Sequence, residues 1–430
     1  MAQDLANFDA MFKDLYLDKI PETIKENFPL SEFAEERDDL QTDGRQVLYP
    51  VHVGRNTGTL AIGEGANLPT AGNQQWVDFK VPYKYNYARV QLTAQVMKQS
   101  LSSKGAFEKA VHAEIMGAAK DCGRNRNRQL FGNGTGIMAV VNGAVSGAKV
   151  VTLKNLFNIS GAAGQYNVAQ FFAAGQILAF VTVAGAIDAV GTIASVDVAN
   201  NTVTLTANAN ITNGDYVCFV STATSTAIGD SSYNNEIMGL MGMIDDGTYV
   251  ATYNSVVRSS YPTLNSSVLD LGGSGISRTL VQKLWSLVDQ VSDGKITCGF
   301  WHHTLRDDYA ALLVEFKRFN DKDALVAQDG WKNGMNGDDA LQFNGVPFIA
   351  DRDCPYGTLF VFDETQFFRY VNEPGKWADE DGTVLLRVAV SDQYEARWRI
   401  FDNFCYDTPN RGGVMRNVGL SASPTALQLI

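Results

Sequence analysis

The sequence has 430 residues (46.9 kDa), of which 45 % are apolar and 19 % charged. That is enough for two or three cores and too apolar for a disordered chain. A net charge of −12 argues against a protein whose main task is gripping nucleic acid, and five dispersed cysteines without C-x-x-C spacing read as reduced thiols of a cytosolic product.

The opening MAQDLANFDAMFKDLY lacks the basic-then-apolar order of a signal peptide. No segment approaches the ~18 uninterrupted apolar residues of a membrane span, so the expectation is a soluble, intracellular product with no membrane partner. In residues 1–45, Leu5, Phe8, Phe12, Leu15 and Ile20 recur at helical spacing before Pro21. The same stretch holds twelve acidic and five basic residues, a net of −7. An amphipathic arm this short has no core of its own and must rest on something else.

Residues 46–97 change to a β texture. VLYPVHV and WVDFKVPYKYNYARVQLTAQV are both β-like, and in the second Phe79, Val81, Tyr83, Tyr85 and Tyr87 alternate with polar or charged residues except for Pro82. Between them GRNTGTLAIGEGANLPTAGNQQ (54–75) is rich in Gly and Asn, which predicts a long two-stranded hairpin with a wide tip. Such a hairpin is marginal alone and asks for a neighbouring molecule to rest on.

The spacing of Phe107, Val111, Ile115, Ala118 and Cys122 predicts a helix over 103–131, capped by Ser102 or Ser103. At ~1.5 Å per residue it spans about 40 Å. Residues 150–222 then supply four short Ala/Val/Thr-rich runs between Gly/Asn turns, the pattern of a small self-contained barrel or sandwich. Ser277 is the expected cap of a helix with Leu280, Leu284, Leu287, Val288 and Val291 on one face, closed by Gly294. Thr304, with Asp307 three residues on, opens a second helix running to about Phe319. ITCGFW, GVPFIAD, GTLFVFD, VLLRVAV and EARWRIFDNFCYD read as strands, so the class is α+β with irregular mixing.

The one stretch suggesting chemistry is GRNRNRQLFGNGTG (123–136). A dinucleotide fingerprint needs G-x-G-x-x-G at a helix start, where the dipole favours phosphate. Here the spacing is G-x-G-x-G and the glycines follow a helix end, where the dipole repels phosphate. Arg124, Arg126 and Arg128 complement that dipole, with Gly132 as the left-handed cap, and can also meet DNA or an acidic partner such as the arm. Gly294-Lys295 and Gly375-Lys376 lack the Ser or Thr of a Walker motif, and His302-His303 beside Cys298 lacks metal-ligand spacing. GGSGIS (272–277) fails as a nucleophile elbow because Ile276 stands where the second glycine belongs. The residues therefore supply no catalytic, cofactor-binding or metal site.

This order of acidic arm, long hairpin, long helix and mixed body resembles the major capsid protein of tailed bacteriophages, the Hong Kong phage type of fold. In FNGVPFIADRDCPYGTLFVFDETQF (343–367), the strand, Pro/Gly turn and second strand are similar to that family's habit, as is the closing YEARWRIFDNFCYDTPNRGGVMRNV (394–418). The resemblance implies an N-terminal arm (1–45), an E-loop hairpin (46–97) and a peripheral domain with its spine helix (98–149). It further implies an inserted β-barrel-like domain (150–222), peripheral strands and connection (223–276), an axial domain (277–370), and return strands with a C-terminal tail (371–430).

By that resemblance the chain is a self-assembling virion protein, not an enzyme, forming hexamers and pentamers of an icosahedral head around double-stranded DNA. It would be assembled in the host bacterial cytoplasm with a portal and, in some relatives, a cement protein. Arg55, Thr59, Glu64 and Asn67 of the hairpin tip are the expected assembly contacts. The arm begins almost at Met1, so scaffolding would be a separate protein. The tip has only Arg55 as a basic residue, with Lys80 and Lys84 down the strand, which argues against the lysine–asparagine cross-link some members form. The alternatives are another phage component, such as a decoration or tail protein, or a carbohydrate-active enzyme using Trp76, Trp301, Trp331 and Trp377 as sugar platforms.

Overall fold

A computed structural model describes residues 29–37, 44–95, 104–157, 168–317, 331–333, 339–379, 383–388 and 391–420. The amphipathic run Leu5–Ile20, the candidate caps Ser102 and Ser103, and the side chains of Phe107, Val111 and Ile115 lie outside the described residues.

After a helical turn at Pro29–Glu32, strand β1 (Glu35–Glu36) leads to β2 (Gln46–Gly54), which pairs antiparallel with β3 (Gln75–Pro82). Val47, Val53, Phe79 and Val81 are buried on one face of this hairpin, as strand alternation requires. The run that reads as a single strand from Trp76 onward breaks at Tyr83. Its second half, β4 (Lys84–Thr93), leaves the hairpin and pairs with a strand three hundred residues later. The break has a local cause: Pro82 has no N–H to give a ladder, and its carbonyl accepts instead from Asn403 Nδ2 at 2.8 Å.

Helix α1 (Lys104–Leu130) packs against β4. Its end tightens into i→i+3 bonds, Phe131 N to Arg128 O and Gly132 N to Gln129 O. Gly132 is not the left-handed residue; Gly134 (φ +76°) and Gly136 (φ +69°) are. A Cβ on Gly136 would stand 1.8 Å from the carbonyl oxygen of Ser232. Gly136→Ala is therefore expected to cost about 3 kcal/mol or more by denaturant unfolding, from strained φ plus a backbone clash. A loss under ~1 kcal/mol would show that this crossing relaxes freely.

Strands β5 (Ala139–Val141), β6 (Val145–Lys154), β7 (Ile177–Val181), β8 (Ile187–Asp197), β9 (Thr202–Ile211) and β10 (Tyr216–Phe219) close into a barrel in the order β10-β5-β6-β9-β8-β7. The closed sheet takes in chain from Ala139, upstream of residue 150. Val151, Leu153, Phe180, Val203, Leu205 and Val217 are buried, and their apolar cluster runs on into that of the following body. Tyr356 Oη donates to Gln170 Oε1 across that junction at 2.9 Å.

A small ladder, β11 (Thr252–Tyr253) with β12 (Val256–Val257), precedes the mixed sheet. That sheet runs β13-β22-β18-β14-β17-β16-β15 among the described residues. Its strands are β13 (Ser267–Asp270), β14 (Cys298–Trp301), β15 (Trp331–Asn333), β16 (Asp339–Phe343), β17 (Val346–Ala350), β18 (Leu359–Phe362) and β22 (Gly413–Arg416). Helix α2 (Arg278–Val291) packs on it, and Ser277 Oγ accepts from Leu280 N as the cap. The face actually buried is Val281, Leu284 and Val288, while Val291 is exposed. The helix stops at Ser292, ahead of the predicted Gly294.

Helix α3 (His303–Lys317) is capped by His302, not by Thr304. His302 Nδ1 accepts from Thr304 N at 3.2 Å and its carbonyl accepts from Leu305 N and Arg306 N. Asp307 pairs with Arg306 instead of completing a capping box.

The last sheet is built on β21 (Gln393–Tyr406), flanked by β19 (Phe367–Trp377) and β4, with β1 on β19 and β20 (Leu386–Arg387) beside it. Among the described residues of the predicted strand VLLRVAV, only Leu386–Arg387 (β20) is strand. Val90, Ala396 and Phe404 are buried in this sheet.

Candidate assembly elements and their anchoring

The hairpin tip, residues 55–74, carries no strand. Asn56 Oδ1 accepting from Gly58 N at 2.7 Å and Ala66 N donating to Gly63 O hold local turns within it. Arg55, Thr59, Glu64 and Asn67 are all exposed there. So are Leu68 (83 %), Leu60 (70 %) and Ile62, and Trp76 (62 %) and Leu48 extend the apolar stripe down the hairpin's outer face. Large apolar side chains held this far into water are the signature of an unfilled contact. Sequence reasoning singles out the polar tip residues and misses these. Leu60, Ile62 and Leu68 inside a Gly-rich stretch were the available signal.

The hairpin base and the arm converge on one carboxylate. Asp407, just beyond β21, accepts from Tyr49 Oη of β2 at 2.8 Å and from Arg37 Nη1 at 3.0 Å. Arg37 also donates to Tyr370 Oη and lies over the Phe368 ring at 3.9 Å. Burial pushes the Asp407 carboxyl up from its ordinary range, against the pull of Tyr49 and Arg37, and pushes the Tyr49 phenol well up. The two elements that lack a core of their own are thus fastened at the same point of the body.

The three arginines of the helix end find their acids within the subunit. Arg126 pairs with Asp402 of β21, which is fully buried and also takes Arg369 Nε at 2.8 Å. Arg128 pairs with buried Glu236, and Arg124 lies 3.7 Å from Asp121. Asn127 between them donates to Asp353 at 2.6 Å and to Asp351 at 3.2 Å. The expected acidic partner is therefore intramolecular for Arg126 and Arg128: they tie the long helix to the return strand. A cavity of about 180 Å³ lies beside this knot, lined by Ser31, Arg126, Asn127, Leu130, Arg369 and Phe404.

His302 is buried against Tyr356, their ring centroids 4.3 Å apart, and its Nδ1 is committed as an acceptor. Burial, with help from His303 and Arg306, lowers its pKa to about 3. A histidine held neutral binds its proton more weakly folded than unfolded, so stability is lost as pH falls from ~6.5 towards 3. His302→Asn, which keeps a cap acceptor, should flatten that part of the stability–pH curve relative to the parent, measured by urea unfolding. Parallel curves would show that His302 is not the group responsible.

Among the described residues, no three His, Cys, Asp or Glu side chains form a group able to hold a metal ion. All five cysteines are free thiols, and burial pushes the Cys218 and Cys405 thiols up to about 12. Trp301 is a core residue against Tyr309 and Phe348 and not a surface platform.

No family model matches the chain, and no curated protein matches it by sequence. Solved structures do. The capsid asymmetric unit of cyanophage A-1(L) superposes with a TM-score of 0.56 at 12 % identity, covering 95 % of this chain and 98 % of that one. This is the tailed-phage major capsid fold. The SrpI encapsulin complex of Synechococcus elongatus superposes at 0.50 with 7 % identity, covering 99 % of both chains. The hairpin, the long helix α1 and the mixed sheet follow one another along the chain in the order the resemblance implies.

Proposed function

We propose that this chain is the major capsid protein of a tailed bacteriophage, assembling as hexamers and pentamers into an icosahedral head around double-stranded DNA. The observation that carries this reading is the hairpin tip: a coreless segment exposing Leu60, Ile62 and Leu68 on a capsid fold that covers 95 % of the chain. In this reading the stripe is covered by a neighbouring copy. Heterologous contacts of this kind close into rings and lattices, and many modest contacts then add by avidity.

In this reading the protein resides in the virion, after assembly in the host cytoplasm with a scaffolding protein, a portal and, where present, a cement protein. The barrel is an insertion on the shell core, and the seven-part division of the chain follows the capsid plan. A decoration or tail role leaves the match over the full subunit unexplained.

Co-expression with the neighbouring structural genes, followed by negative-stain imaging, tests the reading. Closed shells, or free hexamers and pentamers, support it. A clean small monomer with hydrolase activity would overturn it.

A further inference from the structure

The outward face of the β4–β21–β19 sheet stands apart in a chain of net charge −12. Strand register sets Arg89 opposite Arg397, Tyr87 opposite Arg399 with Lys376 beyond, and Tyr85 opposite Phe401. Two carboxylates lie within this face, but both are covered. Glu395 (side chain 6 % exposed) takes Arg89 Nη2 at 2.6 Å and pairs with Arg397. Glu373 (15 %) takes Lys376 Nζ at 2.9 Å and Arg399 Nη2 at 2.8 Å. The hydrogen bond from Arg397, with that from Arg89, holds Glu395 low; burial alone would raise Glu373, but Lys376 and Arg399 outweigh it. The cations above stay in water, with Arg89 58 %, Arg397 56 % and Lys376 50 % exposed. Tyr85 and Tyr87 beside them expose ring and hydroxyl, edge-on to Phe401. Asp379 follows at the end of β19.

We infer that this face is where the subunit touches nucleic acid, through the phosphate backbone of a duplex and without reading sequence. The inference rests on the capsid reading and names the surface that reading needs. Arg397 and Arg399, ~6.6 Å apart along β21, with Arg89 on one flanking strand and Lys376 on the other, form a compact cationic cluster that suits a phosphate backbone. The covered carboxylates hold the arginine rows in place while projecting little charge outward. Tyrosine hydroxyls add donors that position a backbone. The helix-end arginines, engaged with Asp402 and Glu236, are not needed for it.

The test is fluorescence anisotropy of a labelled random-sequence duplex with the full-length protein across a salt series. Binding should weaken as salt rises. The triple variant Arg89→Gln/Arg397→Gln/Lys376→Gln should cut the log–log salt slope by about 2 to 3, one for each phosphate no longer neutralised. Because Glu395 is left without its arginines there, the charge-keeping variant Arg89→Lys/Arg397→Lys is run alongside and should retain most of the parent slope.

An unchanged slope in a folded triple variant overturns the inference, as does an absence of salt-dependent duplex binding by the parent. Displacement by a peptide of residues 1–37, with no displacement by unlabelled duplex, also overturns it and assigns the face to an acidic arm. Shell formation is imaged on the same samples. Parent shells without duplex binding sink only this inference, whereas a parent that binds duplex but never assembles sinks the capsid reading instead.

Discussion

Replacing residues 55–74 by Asn-Gly should leave a folded subunit that no longer assembles. The strands on either side already pair up to Gly54 opposite Gln75, and a two-residue type I′ turn is the natural closure of such a hairpin. Nothing in the described body leans on the tip, and its largest side chains, Leu60 and Leu68, are mostly in water. The transition midpoint should therefore move by no more than a few degrees, or rise as unsatisfied apolar surface is removed. Assembly should fall to background in light scattering, because at ~25 cal/mol per Å² the deleted side chains account for several kcal/mol per subunit interface. The milder triple Leu60→Ser/Ile62→Ser/Leu68→Ser should weaken assembly in the same direction. Normal shells from the tip-deleted protein would show that the hairpin is not the element that joins neighbours.

The second large effect is expected inside the subunit. Asp402 is fully buried and joins the foot of helix α1, through Arg126, to β19, through Arg369. Asp402→Ala strands Arg126, whose side chain is only 15 % exposed, and leaves Arg369 (24 %) with only the half-exposed Glu36 at 3.6 Å. Removing one partner of such a buried group costs about 3–5 kcal/mol, far more than the ion pair itself contributes. Urea unfolding should show that loss, and Asp402→Asn should recover part of it by keeping an acceptor. A change below ~1 kcal/mol would mean that apolar packing around Leu130, Phe131 and Phe404 holds the helix without the charge knot.

What could be read from the sequence, and what could not, divides along physical lines. Local periodicity located β2, β3 and the α1 run, and Ser277 capped α2 because a cap is decided within four residues. Pairing is not local. The alternation of Lys84–Thr93 announces a strand but not that its partner is Gln393–Tyr406, and Pro82 is the only hint that the run divides. The acids that take Arg126 and Arg128 lie at Asp402 and Glu236, so a basic cluster looked available when tertiary structure had already engaged it. The cap at His302 is not legible in the sequence because histidine is an uncommon cap acceptor, and the ring that turns Nδ1 to Thr304 N is held by packing on Tyr356. Gly132 was misread for Gly134 and Gly136 because the turn is fixed by the close passage of Ser232.

The candidate assembly surface shows the same limit. Polar tip residues fit the expectation of a solvated loop, so Arg55, Thr59, Glu64 and Asn67 drew notice. Only the folded chain shows that Leu60 and Leu68 stand in water and not against the subunit body. Likewise the cations of the β4–β21–β19 face are scattered over three hundred residues of sequence and meet only through strand register.

A 46.9 kDa chain that completes itself on copies of itself must form defined oligomers in solution. Mass photometry of the purified full-length protein over a concentration series tests it most directly. Five- and six-fold multiples of the subunit mass are expected, with megadalton closed shells as concentration rises. A single monomer peak at every concentration, with the hairpin intact, would contradict it.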